Sequence, residues 1–119
     1  MKTFCYESNG EWYRECYFDI GEYENGERYL ALNGYAKNEN QVSHISDVTI
    51  EVSEKLKKNQ VAIDNATNTN LISFLLDLGI VKGISKRVIS NSKSFPIVEL
   101  DLEKLYEYSC RLEELRDAS

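Results

Sequence analysis

In the first third of the chain, apolar and polar residues alternate over short runs separated by Asn-Gly pairs. The runs at 3–6, 11–20 and 28–32 are rich in Tyr, Phe, Cys and Trp, and Asn-Gly stands at 9–10, 25–26 and 33–34. Asn-Gly supplies the positive φ that tight hairpin turns demand, so the pattern predicts an antiparallel meander with a turn at each pair. With a two-residue turn at Asn9-Gly10, the strand period of two puts Cys5, Trp12, Cys16 and Phe18 on one face. Phe4, Tyr6, Tyr13 and Tyr17 fall on the other. The first set reads as the core face and the second as a tyrosine-rich, partly wet face.

Residues 37–43 are polar and read as a loop. In DVTIEVS (47–53), Val48, Ile50 and Val52 alternate with Thr49 and Glu51, the signature of a strand with its aliphatic side inward. Residues 55–60 form a basic connection, and 61–64 a short strand. Potential capping residues cluster at 67–70. Leu71, Phe74, Leu75 and Leu78 then recur at helical spacing before Gly79, which predicts a short helix with a glycine C-terminal cap. Residues 81–90 and 95–100 read as two strands joined by 91–94, with Pro96 marking an edge or a strand start. Asp101 is placed to cap a final helix over 102–118, where Leu105, Tyr108, Leu112 and Leu115 repeat at spacings of 3, 4 and 3. That stripe packs on the sheet or, alternatively, forms the seam of a homodimer. The expected fold is α+β. It is one domain over 1–119, with an antiparallel sheet of five to six strands, one short helix and one longer C-terminal helix.

Charge sharpens this picture. The net charge is −6, but it is unevenly laid out: −7 over 1–54, +5 over 55–93 and −4 over 94–119. An acidic total disfavours direct nucleic-acid binding, which needs bases to neutralise phosphates, and suits a protein partner with a basic surface. No apolar run approaches the ~20 residues of a membrane span. The N-terminus has no signal-peptide core, so a cytoplasmic protein is expected. Cys5, Cys16 and Cys110 are too scattered for a metal motif and suit a reducing compartment; a Cys5–Cys16 pairing across the first hairpin is left open.

Motifs for chemistry are missing from the sequence. It has no nucleophile elbow, phosphate-binding glycine loop or HExxH, and its one histidine, His44, has only Asp47 at i+3. The expectation is therefore no catalytic residue, no metal and no cofactor. The densest unusual feature is ECYFDIGEYENGERY (15–29), where acids and tyrosines interleave. Carboxylates spaced along a hairpin can stand in for the phosphates of a duplex, and tyrosines supply anchoring area at low entropic cost. Glu11, Tyr13, Glu15, Tyr17, Asp19, Glu22, Tyr23, Glu24 and Glu27 are thus the candidate partner-binding set. The alternatives are a structural protein that oligomerises through the Leu105–Leu115 stripe and a weak nucleic-acid module built on Lys82, Lys86 and Arg87.

Residues 25–105 also resemble a family of small uncharacterised domains carried by phages, conjugative elements and gut bacteria. The resemblance is carried by VAIDNATNTNLISFLLDLGIVKG and VISNSKSFPIVELDLEKL, with Asp64, Asn65, Phe74, Leu75, Gly79, Phe95 and Pro96 at the family's characteristic places. The cluster after Asp64 is longer here than in the family. The resemblance implies an accessory role against host defence, such as that of an anti-CRISPR protein, and carries over no catalytic residue. Together with the acidity, it leads to the expectation of a non-catalytic inhibitor. Such a protein would occupy the basic nucleic-acid-binding surface of a defence nuclease in the host cytoplasm.

Overall fold

The computed structural model describes residues 1–65 and 70–110. Along the chain the elements are β1 (Phe4–Ser8), β2 (Glu11–Glu22), β3 (Arg28–Ala36), β4 (Ser43–Asp47), β5 (Gln60–Ala62), α1 (Leu71–Asp77), β6 (Val81–Ser90), β7 (Lys93–Leu100), α2 (Leu102–Glu107) and β8 (Ser109–Cys110). They form an α+β arrangement that is mostly antiparallel sheet. One sheet runs β1-β2-β3-β4, with β8 added to β2 in parallel, and the other runs β5-β7-β6.

Two of the three Asn-Gly pairs make turns. Asn9 and Gly10 have φ of 51° and 82°, the paired positive values of a type I′ hairpin. At the second, Gly26 has φ 85°, its N–H donates to Tyr23 O at 2.9 Å, and the Tyr23 N–H donates to Glu27 O at 2.8 Å. The third pair lies inside β3 and makes no turn. A Cβ on Gly34 would stand 2.6 Å from Cys16 Sγ. This glycine therefore serves a close strand-to-strand approach rather than a positive φ.

The predicted faces of the first hairpin are corrected by a bulge. Glu15 has φ 52°, and the β2–β3 register slips between Arg14 and Tyr17. One extra residue reverses the parity of everything beyond it. Before the bulge Tyr13 points inward; after it Cys16, Phe18 and Ile20 do. Tyr6 is buried opposite Tyr13, and Phe4 lies opposite Cys16, packed on the core. Cys5 and Trp12 face outward, so Cys5 and Cys16 are thiols on opposite faces.

The predicted strand 47–53 is also corrected. The strand is Ser43–Asp47, and the residues after it cross between the sheets. The Val48 N–H donates to Leu30 O, Val48 O accepts from the Asp64 N–H, and the Ile50 N–H donates to Ala62 O. Thr49 is buried rather than outward, with its Oγ1 accepting from the Leu30 N–H at 3.1 Å.

The predicted short helix is α1. Leu71 and Leu75 are buried, and Gly79 (φ 80°) ends it. The Gly79 N–H donates to Leu76 O and the Ile80 N–H to Leu75 O, a Schellman closure. Asp101 caps α2 by accepting from the Lys104 N–H at 3.2 Å. The predicted long C-terminal helix is corrected: α2 has 6 residues against 7 in α1, and the chain then turns into β8. The β2 ladder captures it there, with the Phe18 N–H donating to Tyr108 O at 2.8 Å.

β6 and β7 join through Asn91 (φ 52°) and Ser92 (φ 66°), a second I′-type turn and tighter than the predicted 91–94. Pro96 is not on an edge, because β7 is the central strand. Its carbonyl accepts from the Ile63 N–H, so its missing N–H faces the side where β5 ends, and no ladder bond is lost.

The main core lies between the first sheet (Phe18, Leu30, Leu32), the two helices (Leu71, Leu75, Leu105) and the near face of the second sheet (Val61, Val98, Leu100). A smaller core of Val52, Ala62, Val88, Phe95 and Ile97 lies on the second sheet's far face, with Ile50 and Leu56 packed on it.

Candidate functional site

The acids and tyrosines of the candidate set do not share one surface. Tyr13 packs on the core, and its hydroxyl donates to Glu11 Oε2 at 3.2 Å. Tyr23 is half-buried with its hydroxyl bonded to Thr49 Oγ1 at 2.9 Å. Glu27 accepts from the Leu56 N–H at 3.1 Å and so fastens the segment that covers the smaller core. Glu15 sits on the bulge in an ion pair with Arg14, whose guanidinium carbon also lies 5.0 Å from the centre of the Tyr35 ring. Glu22 and Glu24 are exposed at the far end of β2 and in its turn. Only Tyr17 and Asp19 stand on the strand with their side chains outward and clear of these duties.

Around that pair the outer face of the first sheet is built by register. One row crosses the strands as Asp19, Ala31 and Asp47, and the next as Tyr17, Asn33 and His44. Asp47 joins the rows. Its Oδ1 accepts from the Tyr29 hydroxyl at 2.5 Å and lies 3.3 Å from His44 Nε2. Tyr29 meets Tyr23 edge to face at 5.5 Å. These two rows hold two carboxylates and one imidazole, with no Lys or Arg. Trp12 lies farther along the same face and is 59% exposed.

The phenols are held neutral. Burial, then the hydrogen bond and charge of Asp47, push Tyr29 up to about 12. Burial also raises Tyr17, only partly offset by its hydrogen bond to Asn33, with Asp19 among the smaller causes. The face thus presents neutral aromatic donors among fixed negative charges. That combination favours a cation, through carboxylate pairing and through ring faces. Among the described residues no three His, Cys, Asp or Glu side chains gather as metal ligands.

Sequence reasoning missed Trp12, His44 and Asp47 here, whereas Tyr29 closes the acidic, tyrosine-rich stretch 15–29 and is one of its anchoring tyrosines. Parity assigns Trp12 inward, and His44 and Asp47 come from β4, beyond the acidic stretch. The alternation of 28–32 places Tyr29 opposite Leu30 in facing, which was the one usable signal. In the proposed dimer stripe, Leu105 is fully buried in the core and Tyr108 packs on Phe4 with ring centres 5.7 Å apart. Leu112 and Leu115 lie outside the described residues. Of the basic residues, Lys86 pairs with Glu54, and Arg87 Nε donates to Ser94 Oγ at 2.8 Å. Among the described residues no helix is long and apolar enough to cross a membrane.

No family model matches this chain, and none of the curated proteins or solved structures compared with it does.

Proposed function

We propose that this is a non-catalytic binding protein, an inhibitor of the kind carried by phages and mobile elements, that occupies a basic surface of a nucleic-acid-handling enzyme such as an RNA-guided defence nuclease. The observation that carries the reading is the outer face of the first sheet. Asp19 and Asp47 flank Ala31 there, with Tyr17 and Tyr29 beside them, one imidazole, that of His44, and no Lys or Arg in the two rows. Cationic side chains that normally grip phosphates would meet carboxylates at strand spacing, and the tyrosines would add contact area that costs little entropy to order. The inhibition is competitive occupancy and needs no bond-making by this chain. The acids on the flanking turn, Glu22 and Glu24, would steer the encounter and act mainly on its rate.

The test compares capture from host lysate by the wild-type protein and by a variant carrying Tyr17→Ala, Asp19→Asn and Asp47→Asn, with elution by a salt step. The expected result is a nucleic-acid-binding enzyme held by the wild type, displaced by its own nucleic acid and lost from the variant. An enzyme retained equally by the variant, or a set of captured proteins without a basic groove, would overturn the reading.

A further inference from the structure

The second sheet has one open side. β6 is its outer strand, and among the described residues no main-chain hydrogen bond is made to the outer edge of β6 between Lys82 and Ser90. Two register slips, at Val81/Gly83 and Ile84/Lys86, interrupt the first half of the strand. Such slips, with lysines, are how edges are usually guarded against pairing. The second half is regular: Lys86 to Ser90 pair in step with Ile97 to Lys93.

The turn fixes which groups are free. In a two-residue hairpin the flanking pair, Ser90 and Lys93, is hydrogen-bonded, and bonding alternates from there. Ile89 and Arg87 therefore turn their N–H and C=O away from β7. Pro96 agrees, because it sits opposite Arg87 with its own polar groups facing β5. Ile89 is 81% exposed and Ile84 is 51% exposed, both high for isoleucine. An open groove of about 440 Å³ runs beside this half-strand, lined by Val52, Ser53, Glu54, Arg87, Val88 and Ile89.

Charge decides the occupant. β6 carries Lys82, Lys86 and Arg87 and no acid, and Lys93 follows across the turn. The groove's one carboxylate, Glu54, is already paired with Lys86. A second copy adding its own β6 in antiparallel fashion would set cations against cations. We propose that the Lys86–Ser90 edge takes an extended acidic peptide segment of a partner protein as an added strand. The main chains of Arg87 and Ile89 supply the hydrogen bonds, Ile89 packs under an apolar residue of the peptide, and Arg87, with Lys93 across the turn, meets its carboxylates. This site is separate from the outer face of the first sheet and does not depend on it.

The test uses a dye-labelled peptide of alternating glutamate and valine, read by fluorescence anisotropy at low salt, with lysine-valine and amide N-methylated versions as controls. Ile89→Pro removes an N–H that β7 does not use, so the β6–β7 ladder should survive, which circular dichroism checks. The expected result is saturable binding of the glutamate peptide, weakened about tenfold or more by Ile89→Pro and by N-methylation, as loss of paired main-chain bonds requires. Amide signals of Arg87 and Ile89 should move on titration. The N-methylated peptide leaves the protein untouched and keeps the test valid if the variant fails to fold. Absence of binding, equal binding of the N-methylated peptide, tighter binding of single-stranded DNA, or a dimer in sedimentation that Ile89→Pro abolishes would each overturn the proposal.

Discussion

Gly34 shows how much can rest on one missing methylene. Its Cβ would meet Cys16 Sγ at 2.6 Å, Ile45 Cδ1 at 3.1 Å and Arg14 O at 3.3 Å. Cys16 has no room to yield, being fully buried. Burial, with a smaller contribution from Cys5, pushes its thiol up to about 11, so it stays protonated at neutral pH and acts as a packing group. Gly34→Ala is expected to cost about 1–3 kcal/mol through overpacking. Adding Cys16→Ala should recover part of that loss, because it removes the nearest atom. Urea unfolding of the two single variants and the double variant measures the coupling.

Among the elements, β2 is the one whose geometry organises the rest. At about 3.4 Å per residue its 12 residues run roughly 40 Å, and the bulge at Glu15 divides them into two segments of opposite parity. A non-glycine residue at positive φ there costs about 1 kcal/mol or more, which the paired strands on both sides must offset. Glu15→Gly should therefore leave stability unchanged or raise it by up to about 1 kcal/mol, whereas the β-branched Glu15→Val should lower it by about 1–3 kcal/mol. Thermal melts of the two variants would show the difference in sign. The bulge also explains why the candidate site was only partly legible. Tyr17 and Asp19 face outward as strand parity predicts, but Tyr13 is turned inward and Trp12 outward by a residue whose type does not announce a bulge. Glycine or asparagine at position 15 would have.

At the scale of the molecule, the two sheets are tied by a short crossing segment, with Thr49 at its centre. Its hydroxyl accepts from the Leu30 N–H and bonds the Tyr23 hydroxyl, while neighbouring main-chain bonds reach Leu30 on one sheet and Ala62 on the other. Thr49→Val keeps the shape but leaves a buried N–H without its acceptor. It should cost about 1–3 kcal/mol, and Tyr23→Phe less, about 0.5–1.5 kcal/mol. Chemical denaturation of both variants checks the order; a costlier Tyr23→Phe would move the tie to the phenol.

What the chain determined by itself is what neighbours in sequence can enforce. Positive φ at Asn9-Gly10, the apolar spacing of Leu71, Phe74, Leu75 and Leu78 closed by Gly79, and the cap at Asp101 each act within a few residues, and each formed where expected. Tertiary structure decided what needs a distant partner. Gly34 became a point of close approach because Cys16 lay across from it. Residues 48–50 became a bridge because each sheet offered unpaired main-chain groups. The long helix that the stripe from Leu105 and Tyr108 predicts gives way to β8, because the β2 ladder has a free place beside Phe18 and Asp19. A short helix gains little from propensity alone, and a main-chain partner already held in a sheet outweighs it.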